Sequence, residues 1–124
     1  AMLATVFRSF MHQKLWINDP DCVVVRRNKS KLSSNEIQFQ LTIMGLSGGM
    51  IMFSDDLTLL EQDRLRFMKL LIPPYKDGAI PLDMLKKREP ELFGLYTKAE
   101  IGERILLGLL NWKDRTKSVS FSIR

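Results

Sequence analysis

The residues of this chain best suited to chemistry are two aspartates on either side of a proline, Asp19 and Asp21 around Pro20. Proline fixes its own φ at about −65° and biases the residue before it towards an extended backbone. The two carboxylates then point roughly the same way, as a general acid and a general base would. The alternative is a turn in which both aspartates accept hydrogen bonds from backbone N–H groups.

A second acidic segment, Ser54-Asp55-Asp56, directly follows the apolar run 50–53. Its carboxylates could take part in catalysis, or they could mark the end of a strand and the start of a helix, where the helix dipole favours acids. Trp16 and Trp112 could each stack on a sugar ring or belong to the core. The sequence alone leaves both pairs of alternatives open.

The length of 124 residues and the hydrophobic content of 45% indicate one ordinary domain with a core. No apolar stretch approaches the ~20 residues of a membrane helix, and residues 1–5 lack the basic and apolar regions of a signal peptide. We therefore expect a cytoplasmic chain with no membrane partner.

The net charge of +5 suggests a nucleic-acid partner, but the basic clusters 26–31 and 86–88 are short, separate and without interleaved aromatics. We interpret them as solvated loops and expect no nucleic-acid partner. One cysteine, Cys22, excludes an internal disulfide, and with the single His12 it cannot supply the ligands of a zinc site. We expect neither a metal nor a cofactor.

The first 72 residues alternate between helical and strand patterns. A helix is predicted at the N-terminus and a strand at 15–17, followed by the Asn-Asp-Pro-Asp turn and a β-branched strand at 22–25. The capping box of Ser33 and Glu36 predicts a second helix. Its apolar residues are ambiguous, because those at 37, 39, 41 and 43 alternate as in a strand. They also fit the two sides of a broad helical face: Ile37, Leu41 and Met44, and Phe39, Ile43 and Leu46. The capping box and Gly45 favour the helix.

A strand covered on both faces is predicted at 50–53, and a capping box of Thr58 and Glu61 begins a third helix that ends before Pro73. This alternation predicts a parallel sheet with covering helices. Towards the C-terminus the alternation of Val119, Phe121 and Ile123 predicts an antiparallel hairpin of 106–112 and 118–123 around the turn 113–117. Residues 75–103 are predicted to be a connecting stretch.

Four segments in this order resemble the closing part of the catalytic barrel of melibiase-type α-galactosidases, the clan of glycoside hydrolase families 27 and 36. They are Phe-Met-His at 10–12, Leu-Trp-Ile-Asn-Asp-Pro-Asp-Cys at 15–22, Leu-Ser-Gly-Gly at 46–49 and Ser-Asp-Asp-Leu at 54–57. The later segments 80–83 and 107–112 also resemble the family, in which a small antiparallel domain follows the barrel.

The resemblance implies an α/β fold in two parts. Residues 1–74 would be the last strands and helices of a (β/α)₈ TIM barrel, which typically needs ~250 residues. Residues 75–124 would be a linker and the first hairpin of a C-terminal antiparallel β domain. Both acidic segments would then lie at the C-terminal ends of strands, where the active sites of such barrels are found.

The implied activity is retaining hydrolysis of terminal α-galactosides by two carboxylates ~5–5.5 Å apart. Relatives carry the nucleophile in Lys-x-Asp and the acid/base in Arg-Ile-Gly-Pro-Asp. Neither pattern occurs in these residues. No catalytic residue is therefore assigned, and this chain alone is expected to be inactive.

Sugar-site residues follow from the resemblance at the Asn-Asp-Pro-Asp turn. It implies that Asp21 and Cys22 line the galactose pocket and that Asn18 and Asp19 brace the turn. Trp16 completes the five predicted substrate-binding residues. Ile17 separates Trp16 from Asn18, and cysteine replaces methionine, which favours family 36 over family 27.

The resulting hypothesis is the C-terminal fragment of an α-galactosidase-like glycoside hydrolase that contributes part of its sugar site. Its partners would be an α-galactoside and either the rest of the barrel or a second copy bound through exposed edges. The alternative is a non-enzymatic carbohydrate- or protein-binding α/β module.

Overall fold

The computed structural model describes residues 1–100, 102–120 and 122. It contains three α-helices and two small sheets. The helices are α1 (Met2–Arg8), α2 (Ser34–Leu46) and α3 (Gln62–Lys69), with short 3-10 helices at Ser9–Met11 and Leu57–Leu59. The strands are β1 (Cys22–Val23), β2 (Met52–Phe53), β3 (Ile80–Pro81), β4 (Leu92–Ala99) and β5 (Gly102–Leu109).

The first sheet is a parallel pair joined by a helical crossover. Cys22 of β1 lies opposite Met52 of β2, and Val23 lies opposite Phe53, with α2 between the two strands in the chain. A parallel pair needs such a crossover, because its two strands run in the same direction. The parallel pairing predicted from the alternating pattern is confirmed for these two strands.

The predicted fold class, the closing part of a (β/α)₈ barrel, is wrong. The described residues form one two-stranded parallel sheet and one three-stranded antiparallel sheet, and each parallel strand has only two residues. The strand expected at 15–17 is absent because the chain turns back there: Gln13 has φ 58°, and the N–H groups of Lys14 and Leu15 both donate to the Met11 carbonyl. Met50 and Ile51 likewise stay outside β2.

The second sheet is antiparallel, in the order β3-β4-β5. The hairpin of β4 and β5 pairs from Leu92 with Leu109 to Ala99 with Gly102. The prediction of a connecting stretch at 75–103 is therefore wrong, since β3 and β4 lie there. The predicted hairpin is also misplaced: residues 106–109 do belong to a strand, but their partner precedes them in the chain. Of the predicted strand 118–123, residues 121 and 123 lie outside the described residues, and the others form no strand.

Helix α2 lies between two cores, which explains why it is apolar on two sides. The predicted capping box is confirmed: the Ser33 hydroxyl accepts from the Glu36 N–H, and the Glu36 carboxylate accepts from the Ser33 N–H. One core takes Ile43 and Leu46 together with Val6, Ala79, Phe93, Leu95 and Leu110. The other takes Ile37, Leu41 and Met44 together with Val23, Val25, Met68 and Leu71.

The capping box predicted at Thr58 and Glu61 is wrong. Asp56 caps this segment instead, because its Oδ1 accepts from both the N–H and the hydroxyl of Thr58, at 3.0 and 2.6 Å. The result is the short 3-10 helix, and α3 begins only after Glu61.

The longest helix among the described residues, α2, has 13 residues. A helix that crosses a bilayer needs ~20 predominantly apolar residues. None of the helices in the described ranges is both long and apolar enough to cross a membrane.

Candidate functional site

The Asn-Asp-Pro-Asp turn forms one wall of a surface groove of about 450 Å³, and α1 forms the other. This volume lies within the ~300–1,000 Å³ of small-molecule sites. We call it the turn groove. It is lined by Ala1, Ala4, Thr5 and Arg8 from the first helix and by Trp16, Ile17, Asn18, Asp19, Pro20 and Asp21 from the turn. Four of the five predicted site residues are therefore brought together.

The indole of Trp16 is available for stacking and is fixed at its edge. The residue is 46% exposed. Its Nε1–H donates to Oδ1 of Asn18 over 3.2 Å. A tryptophan whose ring is partly exposed to solvent and whose N–H is hydrogen-bonded is common at binding surfaces.

Asn18 is the buried centre of the turn, with only 4% of its surface exposed. Its Nδ2 donates to the carbonyls of Ser47 and Ser9, at 3.2 and 3.5 Å. Its backbone carbonyl oxygen accepts from the Met50 N–H at 3.1 Å. Asn18 thus ties the turn to the end of α1, to the end of α2 and to the approach to β2.

His12 holds the backbone of Asn18 from the other side. The Asn18 N–H donates to Nδ1 of His12 at 3.0 Å, so Nδ1 carries no proton. The ring is then protonated on Nε2, which lies 3.1 Å from the Lys76 carbonyl and donates to it. The single histidine is therefore a structural link between the turn and the loop before β3.

Two glycines allow the chain to pack closely behind the turn. A Cβ on Gly49 would lie 2.0 Å from the Asn18 carbonyl oxygen. Gly48 has φ 71°, and a Cβ there would lie 2.6 Å from the Gly78 nitrogen. Only a residue without a side chain fits these positions.

The two aspartates of the turn cap backbone donors and remain exposed. Oδ1 of Asp19 accepts from the Asp21 N–H at 3.0 Å, and Oδ1 of Asp21 accepts from the Cys22 N–H at 2.7 Å. Within the described residues the Oδ2 atoms accept no hydrogen bond. Asp21 has φ 77°, a strained conformation for a residue with a side chain. Each carboxylate can therefore cap the turn with one oxygen and receive a ligand hydroxyl with the other.

Cys22, the fifth predicted site residue, lies beside the groove and does not line it. It begins β1, is half-buried, and its carbonyl accepts from Nε2 of Gln40 at 3.4 Å. The structure places it between the turn and α2.

Arg8 is a lining residue that the sequence prediction missed. The apolar stripe predicted for the first helix lies on the face that carries Val6, and Arg8 is not part of that stripe. Ala1, Ala4, Thr5 and Arg8 recur at three- and four-residue steps on another face, and these residues line the groove. The sequence signal for this wall of the groove was a stripe of small and polar residues that ends in the cationic Arg8.

The second acidic segment lies at the opposite end of the parallel pair. Oδ2 of Asp55 accepts from the N–H groups of Val25 and Arg26 at 2.6 and 3.2 Å, and its Oδ1 is 2.6 Å from Nη1 of Arg26. Asp21 precedes β1, and Asp55 binds the N–H of Val25 after it. The two-residue strand and Val24 therefore separate them, which is ~10 Å of extended chain. The expectation that both segments lie at the same end of the strands is wrong, and the separation exceeds the ~5–5.5 Å of a retaining pair.

Asp55 and Trp112, which could have taken part in catalysis or sugar stacking, make structural contacts. Asp55 is buried, and its hydrogen bonds join the segment after β1 to the segment after β2. The Trp112 ring packs edge-on against Phe39, 4.8 Å between centroids, and its Nε1–H donates to the Pro90 carbonyl at 2.6 Å. Neither residue lines the turn groove.

No family model matches this sequence. Within the described ranges no three His, Cys, Asp or Glu side chains lie together as metal ligands would. The lining of the turn groove offers a ligand the Trp16 indole, two carboxylates and the Arg8 guanidinium, beside the polar groups of Thr5 and Asn18.

Proposed function

We propose that this chain is part of an α-galactosidase-like glycoside hydrolase and that its turn groove binds a terminal α-galactosyl unit. The observation that carries the proposal is one groove that holds the exposed Trp16 ring, the carboxylates of Asp19 and Asp21, and the Arg8 guanidinium. The sequence resemblance assigns a sugar to the same turn.

These side chains match the two surfaces of a galactose ring. The C–H face of the sugar is apolar and would stack on the indole of Trp16. The hydroxyls would donate to the free oxygens of Asp19 and Asp21, and the guanidinium of Arg8 would donate to sugar oxygens. A few convergent polar groups around an aromatic surface are typical of small-molecule sites.

Binding without bond cleavage is the expected role of this chain. Retaining hydrolysis needs a nucleophile and an acid/base that face each other across the glycosidic bond. Asp19 and Asp21 each hold a backbone N–H of the turn, and Asp55 lies beyond the strand. We expect the purified chain to release no nitrophenol from nitrophenyl α-galactoside.

Apolar side chains on the surface support a larger assembly. Leu15 and Ile17 beside the turn are 70% and 63% exposed. Extensive apolar surface usually marks a contact with another chain or domain. We propose that the remaining part of the hydrolase packs there and supplies the catalytic carboxylates.

Calorimetric titration with methyl α-galactoside tests the proposal. A ligand of this size is expected to bind with a Kd of about 1 mM. Asp21→Asn and Trp16→Ala should each weaken binding about fivefold or more. Asp77→Asn, an exposed aspartate outside the groove, is the matched control and should bind like the wild type. The absence of saturable binding, or equal binding by Asp21→Asn, would refute the proposal.

A second candidate is a carbohydrate-binding module that works without a parent enzyme. It is favoured by the two apolar cores, which close within the described residues. Sizing chromatography and thermal melting separate the two candidates. A monomer with a cooperative melt indicates a module, whereas self-association indicates a part of a larger hydrolase.

A further inference from the structure

Arg64 of α3 is a buried cation whose N–H groups lack good acceptors. The residue is only 3% exposed, and its Nε and Nη1 make no hydrogen bond within the described residues. Its Nη2 donates to Oγ of Ser34 over a long 3.4 Å. The Phe67 ring attracts the charge from 5.9 Å but offers no oxygen to these N–H groups. Because a buried guanidinium is costly unless it is hydrogen-bonded, Arg64 calls for a further acceptor.

The acids beside Arg64 do not supply that acceptor. Oδ2 of Asp63 lies 3.7 Å from Nε of Arg64, which is too far for a hydrogen bond. The same oxygen accepts from Nη2 of Arg27 at 2.6 Å, and Oε2 of Glu61 accepts from Nε of Arg27 at 2.6 Å. Both carboxylates therefore bind Arg27 and leave Arg64 with a counter-charge nearby but no hydrogen-bond partner.

The start of α2, against which the guanidinium lies, also has N–H groups without an acceptor. The capping box occupies the N–H groups of Ser33 and Glu36. Those of Ser34 and Asn35, in the first turn of this 13-residue helix, find no acceptor within the described residues. A helix start favours an anion, because unpaired N–H groups and the positive end of the helix dipole meet there. Two independent features thus converge on Ser34.

We propose that the start of α2 binds a phosphoryl group, held by the Arg64 guanidinium and by the N–H groups of Ser34 and Asn35. A phosphate accepts from two nitrogens of one guanidinium at once, in a planar geometry that lysine cannot offer. It would give Nη2 and one unpaired nitrogen of Arg64 a charged acceptor. Sugar binding in the turn groove is not needed for this inference.

Two sources carry this chemistry: a free phosphate ion, and a phosphate ester of the Ser34 hydroxyl, whose oxygen already contacts Nη2. For the ester, a protein kinase transfers the γ-phosphoryl group of ATP to Oγ. The O–P bond to the departing ADP breaks as the Oγ–P bond forms, and the hydroxyl proton passes to the kinase base. Both sources have access, because Ser34 and Asn35 are exposed above the buried Arg64.

The basic segment 26–31, which leads into α2, favours an anion at this position. Its two arginines are ion-paired. Lys29 and Lys31 are exposed and make no ion pair within the described part of the chain. The acid in the first turn of α2, Glu36, is turned back to the Ser33 N–H. The two lysines therefore add positive potential beside the proposed site.

Thermal melting in inorganic phosphate tests the free-ion source. With a Kd of about 1 mM we expect a saturable rise in Tm of about 5 °C at about 20 mM phosphate. Arg64→Lys, which lacks the planar fork, should lose most of this rise. Arg64→Met, which removes the buried charge and keeps similar volume, should fold and lose all of it. Arg66→Lys, at an exposed arginine of α3, is the control and should keep it.

Phosphoserine incorporated at position 34 during translation tests the ester. It should raise the Tm by about 5 °C in the otherwise unchanged chain, and free phosphate should then add nothing. In Arg64→Met the same modification should leave the Tm unchanged. Phosphoserine at position 54 is the control: Ser54 is exposed beside two aspartates, so its phosphorylation should not raise the Tm.

The outcomes separate the two sources. A rise with free phosphate that both Arg64 variants lose identifies a free-ion site. A rise confined to phosphorylated Ser34 and lost in Arg64→Met identifies a modification site. No rise in either arm would overturn the inference, as would rises that survive in both Arg64 variants, since phosphate excluded from the protein surface stabilises all variants alike. Sugar titration tests the proposed function independently.

Discussion

The parallel pair and the antiparallel sheet are built from different kinds of contact. In β4 and β5, eight residues of each strand pair through a regular backbone ladder. In β1 and β2 the ladder has two residues a strand, and side chains such as Asn18 and Asp55 fix the chain at either end. The candidate site therefore depends on a few buried polar contacts, whereas the hairpin depends on many equivalent backbone hydrogen bonds.

Both sheets are covered on one part and open on another. Val23 of β1 and Phe93 of β4 are fully buried, whereas Met52 of β2 and Ile105 of β5 are 44% and 68% exposed. The two sheets therefore differ in their backbone pairing and not in whether they reach the core.

The largest expected effect is that of Gly49→Ala behind the turn. Its Cβ would lie 2.0 Å from a backbone oxygen, so the turn must move, and we expect a loss of about 4 kcal/mol in the free energy of unfolding. Gly102→Ala in the hairpin meets nothing within 4 Å and should cost only about 1 kcal/mol for its φ of 112°. Chemical denaturation measures both, and equal losses would contradict the comparison.

Asn18→Ala should cost about 3 kcal/mol, because it leaves the carbonyls of Ser9 and Ser47 and the Trp16 indole N–H without their partner. It should also release the Trp16 ring, which quenching of tryptophan fluorescence by iodide would detect. Asn111→Ala, which opens an exposed loop, is the control and should cost about 0.5 kcal/mol. If Asn18→Ala leaves the stability unchanged, the buried centre of the turn is misassigned.

Asp55→Asn and Asp83→Asn compare buried carboxylates in the two regions. Asp55 binds two backbone N–H groups and the Arg26 guanidinium, and its side chain is fully buried. Asp83 binds the N–H groups of Glu91 and Leu92, and its side chain is 12% exposed. We expect a loss of about 2 kcal/mol for Asp55→Asn and about 1 kcal/mol for Asp83→Asn in thermal denaturation. The reverse order would contradict this ranking.

The smallest effects concern pH. The Ser33 backbone N–H, with the Ser33 hydroxyl, lowers the pKa of Glu36 below 4.5, and the ammonium groups of Lys117 and Lys87 lower the pKa of Glu91 below the same value. Both carboxylates therefore stabilise the fold above pH 4.5, and this contribution is lost as the pH falls through their lower folded-state pKa values.

Glu36→Gln and Glu91→Gln should each flatten the fall of Tm with decreasing pH in that window. High salt should remove most of the Glu91 contribution, which comes from ion pairs, and little of the Glu36 contribution, which comes from neutral donors. Melting curves from pH 6 to pH 3 in low and high salt measure both, and a Glu36 contribution that vanishes with salt would contradict the assignment.

The sequence was informative where local chemistry decides the structure. The Ser33 and Glu36 pair predicted the start of α2. The apolar residues on the two sides of the predicted helix agree with its place between two cores, a place that the structure revealed. It failed at 15–17, where a positive φ at Gln13 turns the chain back. It also failed for the hairpin, because the alternation at Val119 and beyond is stronger than that at Phe93 and Leu95. Strand pairing depends on contacts with distant residues, which a local pattern does not contain.

The candidate site was predictable in part for the same reason. The turn itself is local, so Asp19 and Asp21 could be identified from the proline between them. Arg8 reaches the groove only through the packing of α1 against the turn, and no local pattern specifies that contact. The ~10 Å between Asp21 and Asp55 likewise depends on the pairing of β1 with β2, which places one aspartate before a strand and the other after one.

The assignment of the turn groove to a sugar is best tested by mapping the amide and indole NMR shifts of the chain during titration with methyl α-galactoside. We predict saturable shift changes at residues 16–22, at Arg8 and at the Trp16 indole N–H, with the amides of 92–99 unchanged. Unchanged shifts at 16–22, or changes confined to the antiparallel sheet, would contradict the assignment of the turn groove to a sugar.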